Sequence, residues 1–254
     1  MKHISVKILY FIALIGLCFS FTFIDLPDNF MSRQLKFDRV KEAFAHKEKT
    51  VRSLLAKQDI DLSTLRVILV AYKEESEIEL WTASDDNDYH LLKTYSICSR
   101  SGVVGPKRKA GDLQVPEGLY KIDRFNPVSS YHLSLGLNYP NTSDKILGSK
   151  DPGSNIFIHG ECVTIGCMPV TNDKIEEVYL FAALAKDAGQ QEIPVYVFPL
   201  HMDIKGMNRL KPLISSNPTL GKFWYNLKTC HDRFQSTHRP VPYSVDTKGN
   251  YVLN

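Results

Sequence analysis

The chain has 254 residues, of which 43% are hydrophobic and 23% charged, with a formal net charge of +3. That composition buries a real core and excludes a disordered chain. The charge is too small, and the Lys/Arg residues too scattered, for a nucleic-acid footprint.

At the N-terminus, Lys2 and Lys7 precede an uncharged stretch from Ile8 to Ile24. A basic flank before such a run predicts a secretory signal or a signal anchor over 1–24, with the rest of the chain exported. A helix of that length reaches roughly 25 Å, the short limit for crossing a bilayer. Residues 25–33 read as a linker. Apolar residues at Phe37, Val40, Phe44, Val51 and Leu54 then follow helical spacing, so 25–64 is expected to hold a linker and an amphipathic helix. "RVILVAYK" from Arg66, "EIELWTA" from Glu77 and "YHLLKTYSIC" from Tyr89 read as strands, with "SDDND" as a hairpin turn. "LYKI" at 119–122, "SNIFIHG" at 154–160 and "IPVYVFP" at 193–199 add three more. Ile175–Ala188 reads as a helix, N-capped within 171–173, and Leu220, Phe223, Trp224, Leu227, His231 and Phe234 mark one face of a C-terminal helix. The expected body is mainly β (α+β), with a catalytic domain over 65–199 and a helical extension over 200–254.

"IHGECVTIGC", residues 158–167, concentrates one histidine and two cysteines. Three chemistries fit. His159, Cys162 and Cys167 offer three metal ligands, although no zinc spacing is complete. Cys162 and Cys167 form a possible redox pair. Alternatively, Cys167 is a nucleophile and His159 its base. The third reading uses more of the stretch. Gly166 allows a sharp turn that exposes backbone N–H groups beside the thiol, suited to an oxyanion. A backbone carbonyl beside the histidine would fix its tautomer. Cys98 and Cys230 read as core residues, and Cys18 lies in the export segment.

With an HG followed by Thr164-Ile165-Gly166-Cys167, the stretch resembles the YkuD-type L,D-transpeptidase catalytic domain, whose usual block is S-H-G-C. Ile165 replaces the usual histidine, the spacing from His159 is short, and Cys162 intervenes. These departures are similar to the YafK-type branch from Gram-negative bacteria. "GPKRKAGDLQVPEGLYKI", "SSYHLSLGLNYPN" and the "FW..L" helix also resemble that branch, in order along most of the chain.

The resemblance implies a β-sandwich-like L,D-transpeptidase fold with flanking helices, in which Cys167 attacks a diaminopimelate–D-alanine bond of peptidoglycan stem peptides and forms a thioester. It implies His159 as proton relay, the Gly160 carbonyl as third member, and Gly166 and Cys167 as oxyanion donors. Thr164, Tyr131 and His132 are expected at the substrate. No cofactor or metal is required. The implied setting is the periplasm, with a possible inner-membrane anchor. The branch favours hydrolytic detachment of a peptidoglycan-linked lipoprotein, against crosslink formation or lipoprotein attachment. A silent wall-binding module and a zinc protein are the alternatives. Arg100, Lys107, Arg108 and Lys109 read as a solvated basic loop or as contacts for stem-peptide carboxylates, and Asp112, Pro116 and Gly118 as a turn.

Overall fold

The computed structural model describes residues 29–85 and 88–254. The expected export segment lies outside them. Among the described residues, no helix is long and apolar enough to cross a membrane.

The strands β1 (Leu65–Tyr72), β2 (Glu77–Ser84), β3 (His90–Ser96), β4 (Gly118–Asn126), β5 (Ser134–Leu137), β6 (Phe157–His159), β7 (Met168–Pro169) and β8 (Pro194–Phe198) form one mixed sheet. Their order is β3-β2-β1-β8-β4-β5-β6-β7. The fold is α+β. The sheet curls because β4 serves two neighbours: Gly118–Lys121 pair with β8, while Ile122–Asn126 pair with β5 across an irregularity at Ile122/Arg124.

The continuous apolar run of β1 follows from burial on both faces. Alternate side chains of a strand point to opposite sides. Val67, Leu69 and Ala71 enter one core with α2 (Asp38–Ala56) and α4 (Asn172–Asp187). Ile68, Val70 and Tyr72 enter the other with α5 (Ile204–Ser216) and α6 (Pro218–Thr237). Strand β8 divides the same way, Val195 and Val197 against Tyr196 and Phe198. The expected face of α6 is buried at Phe223, Trp224, Leu227, His231 and Phe234.

Other stretches differ from expectation. Residues 25–33 are not all linker: Phe30–Gln34 form the short helix α1, capped by the Asn29 side chain. Asp187 of α4 accepts the Met31 N–H at 2.8 Å, and Phe30 packs edge-on against Phe125 at 4.8 Å. A second short helix, α3 (Thr142–Leu147), carries a full capping box between Asn141 and Asp144. After β8, β9 (Tyr243–Val245) and β10 (Tyr251–Leu253) form a separate hairpin that is not among the expected strands.

The loop between β3 and β4 is pinned by a buried ion pair. Lys73 Nζ donates to Glu117 Oε1 at 2.9 Å and to the carbonyls of Gly105 and Val115. Glu117, fully buried, also accepts from Gly105 N–H and from Trp224 Nε1 of α6. Removing one partner strands the other charge in the interior, whereas an apolar replacement of both is often tolerated. Glu117→Ala is therefore expected to lose about 3–5 kcal/mol in urea unfolding, and Lys73→Met/Glu117→Leu to recover most of it.

Candidate active site

The proposed nucleophile and base are placed by the pairing of two short strands. β6 and β7 run parallel in the register Ile158↔Met168 and His159↔Pro169. Extended by one residue, that register sets Cys167 beside Phe157. With a side-chain period of two, Cys167 and His159 share one face of the sheet as diagonal neighbours. Gly166, at φ +139°, makes the turn into β7. A side chain there would also stand 3.1 Å from the Gln114 carbonyl.

His159 is only 2% exposed, and its Nδ1 lies 2.6 Å from the Gly160 carbonyl oxygen. A carbonyl only accepts, so Nδ1 carries the proton and Nε2 presents a lone pair. Burial lowers the imidazole pKa, against the raising effects of the Gly160 carbonyl and Glu161. The Tyr131 ring lies over the imidazole at 4.7 Å between centroids, tilted by 34°, and is itself 44% exposed. The Cys167 thiol sits 3.7 Å from the Asn155 carbonyl oxygen. Burial raises its pKa, while the Phe157 backbone N–H and the Lys107 charge draw it back. The resting pair is thus a neutral thiol and a neutral imidazole near pH 7, and the thiolate forms by handing its proton to a base.

Thr164 saturates its hydroxyl locally. Oγ1 accepts from Cys167 N–H at 2.8 Å and Gly166 N–H at 3.2 Å, and donates to the Cys167 carbonyl at 2.8 Å. This corrects the expectation that the Gly166 and Cys167 amides stand open for an oxyanion. A hydroxyl two and three residues upstream captures both.

His132 is also corrected. Its Nε2 contacts Glu176 Oε1 of α4 at 2.9 Å, and its backbone takes a left-handed φ of +64°. Its side chain is held against that helix.

The two cysteines of the stretch separate chemically. Cys162 forms a disulfide with Cys98, with Cα atoms 5.4 Å apart, and Cys167 is free. The expected redox pair of Cys162 with Cys167 is therefore wrong, as is Cys98 as a core residue. The end of β3 comes alongside the catalytic loop, where Cys98 N–H donates to the Pro169 carbonyl at 3.0 Å. A three-ligand set of His159, Cys162 and Cys167 fails for the same reason, because a disulfide sulfur is not a thiolate ligand. The group with metal-ligand spacing among the described residues is Glu77, Glu79 and His201, where His201 Nε2 lies 2.7 Å from Glu77 Oε1.

A narrow cleft of ≈ 20 Å³ opens beside Cys167, lined among others by Ile97, Ser99, Arg100, Ser101, Val103 and Met168. Ser101 Oγ is buried there without a hydrogen-bond partner. The basic loop is less solvated than expected. Lys107 is buried on Asp112 at 2.7 Å, Arg108 reaches Asp144 at 3.2 Å, and Arg100 reaches Glu74 at 3.0 Å. Asp112 is the hub of its turn, also accepting the backbone N–H groups of Arg108, Lys109 and Gln114. Sequence reasoning missed Asn155, Asn172 and Arg39. Asn172 Oδ1 accepts the Glu161 N–H at 2.9 Å, and Arg39 of α2 donates to the carbonyls of Ser129 and His132. None belongs to a local motif, since each acts across long sequence separation.

The family model of the YkuD L,D-transpeptidase catalytic domain matches residues 66–197. The chain belongs to that family, and its catalytic domain is of the peptidoglycan L,D-transpeptidase type. More particularly, it is 36% identical over 190 residues to "Putative L,D-transpeptidase YafK" of Escherichia coli strain K12, across 74% of each chain. Among solved structures, it is similar to the helical cell shape determining protein Pgp2 from Campylobacter jejuni (18% identity, 76% of this chain and 80% of that one, TM-score 0.44). It is also similar to L,D-transpeptidase 1 of Mycobacterium tuberculosis (14% identity, 53% of this chain and 62% of that one, TM-score 0.30).

The pKa directions carry a prediction. The acid limb of kcat/KM reports protonation of the free base, so it is expected below the ordinary histidine value of about 6.5. Alkylation of Cys167 by iodoacetamide is expected to show its midpoint above the ordinary thiol value. Rates read by peptide mass spectrometry between pH 5 and 10.5 check both, and a single acid limb above pH 7 rules out His159 as described.

Proposed function

We propose that the chain is a cysteine-dependent enzyme of the exported cell-wall machinery. In this reading it opens an amide on the L-centre carbonyl of diaminopimelate through a thioester on Cys167. The observation that carries this is the His159–Gly160 contact, which leaves Nε2 as the open base on the face shared with Cys167. His159 takes the thiol proton, and the sulfur adds to the carbonyl carbon. The C–N bond then breaks as His159 returns the proton to the departing amine. Water next attacks the thioester, giving its proton to His159, and the sulfur leaves. Where the departing amine is D-alanine, the stem is trimmed. Where it is a lysine of a peptidoglycan-linked lipoprotein, that protein is set free.

Two features support hydrolysis as the second step. One is the likeness to the YafK-type branch. The other is the openness of the loop around the nucleophile, where Ile165 is 78% exposed and Val163 53%, so water reaches the acyl-enzyme. The periplasm, with residues 1–24 as signal or anchor, is the compartment that fits substrate and disulfide together.

The test incubates purified protein with muropeptides and with sacculi carrying covalently bound lipoprotein, and reads products by mass spectrometry. Freed lipoprotein without new crosslinks is expected, and Cys167→Ala is expected to abolish it. New crosslinks with loss of D-alanine would replace hydrolysis by transfer. Equal behaviour of Cys167→Ala and wild type would leave a wall-binding module instead of an enzyme.

A further inference from the structure

We propose that the Cys98–Cys162 disulfide is a positioning device for the nucleophile: it ties the two walls of the cleft together and holds the loop from Gly160 to Cys167 so that Cys167 keeps to the sheet face it shares with His159. The inference rests on Cys167 as the nucleophile.

The loop has little else to hold it. Glu161, Cys162, Val163 and Ile165 are exposed and Thr164 is half-buried, so no apolar side chain from 161 to 165 enters either core. Hydrophobic burial, the main fixing force elsewhere, supplies almost nothing here. The Thr164 hydroxyl bonds only within the loop. Ties to the body are the Gly160 N–H on the Tyr131 and Leu133 carbonyls and the Glu161 N–H on Asn172 at one end, and the approach of Gly166 to Gln114 at the other. Glu161, at φ +61°, also holds a backbone conformation that side-chain-bearing residues avoid.

The disulfide reaches the middle of this span. Its far end is the opposite wall, because Ile97 and Ser99 on either side of Cys98 both line the cleft at Cys167. The two half-cystines are 64 residues apart; the backbone contact of Cys98 N–H with the Pro169 carbonyl lies past Cys167 and does not reach the loop, which the disulfide does. Neither is a member of either hydrophobic core. Cutting the bond therefore loosens the walls and leaves the sheet and its helices in place. Cys162 is exposed, so a soluble dithiol reaches it. Reduction breaks the S–S bond to two thiols, with the dithiol supplying two electrons and two protons and leaving as its own disulfide.

The experiment compares full-length wild type with Cys98→Ser/Cys162→Ser. Turnover of muropeptide is expected to fall about ten- to a hundredfold, in kcat more than in KM. At the same time, the alkylation midpoint of Cys167, read on its own peptide, should move down toward the ordinary thiol value as the loop opens to water. Cooperative thermal unfolding is expected to persist. Wild type reduced with dithiothreitol should behave as the variant and recover on reoxidation with glutathione disulfide. This arm carries the test if the variant does not fold. Unchanged turnover and an unchanged alkylation profile overturn the proposal. A protein that turns over no muropeptide in any form, yet whose Cys167 alkylation profile shifts on reduction, removes the enzymatic reading while the clamp stands.

Discussion

One ammonium group connects the parts of this molecule that face the cleft. Lys73 follows the last residue of β1, between the two hydrophobic cores, and its Nζ is shared by Glu117 and the carbonyls of Gly105 and Val115. It is 8% exposed, and what remains of its surface lines the cleft at Cys167. Through Glu117 it is joined to Trp224 of α6, so the C-terminal helix and the cleft wall share one buried charge pair. Every donor and acceptor of the pair that points inward is occupied, the condition under which a buried ion pair is tolerated. The loop it holds brings Gln114 against Gly166 and sets Lys107 near enough to Cys167 for its charge to favour the thiolate.

The chemistry of the site is governed by competition between desolvation and local dipoles. Burial favours the neutral form of both Cys167 and His159, and the opposing effects at each are smaller. A pre-formed thiolate–imidazolium pair would hold two charges in the curl of the sheet. In the proposed reaction a neutral pair instead makes charge only as the sulfur attacks, with His159 already in the tautomer that accepts the proton. That tautomer depends on the Gly160 carbonyl, and therefore on the chain leaving β6 straight into a small residue. A side chain on Gly160 would collide with Asn172 Oδ1, His132 Cβ and the Tyr131 carbonyl, all within 3 Å.

Much of the fold was legible because its main elements are set by period. β1, β2, β8, α2 and α6 follow their apolar spacing, and the first strands of the sheet follow it despite burial on both faces. What escaped was short or non-local. β5, β7 and α3 are too brief for a period to be seen, and α1 is five residues stabilised by Asp187, far along the chain. At the site, His159, Gly160 and Cys167 were legible as a local pattern, whereas Thr164, expected at the substrate, spends its hydroxyl on the loop itself. The partner of Cys162 was not, since spacing favoured the near Cys167 while the sheet brought the distant Cys98. The open amides failed for a related reason. Sequence shows that Gly166 can turn the chain, but not that Thr164 will accept the N–H groups the turn presents.

The residues ahead of the family match also shape the site. α2 ends before residue 66, yet Arg39 on it holds the carbonyls of Ser129 and His132, the segment that presents Tyr131. Farther along the same helix, His46 Nδ1 lies 3.1 Å from Glu176 Oε2, while the other oxygen of Glu176 meets His132. Lys47 pairs with Asp173 in the first turn of α4. Helix α2 thus braces α4 and the Tyr131 loop together, and the ring over His159 is positioned from outside the catalytic domain. The left-handed backbone at His132 is held by contacts on both sides, to Arg39 through its carbonyl and to Glu176 through its ring. Such a conformation persists only where its surroundings over-determine it. The amphipathic helix is accordingly part of the construction of the active site.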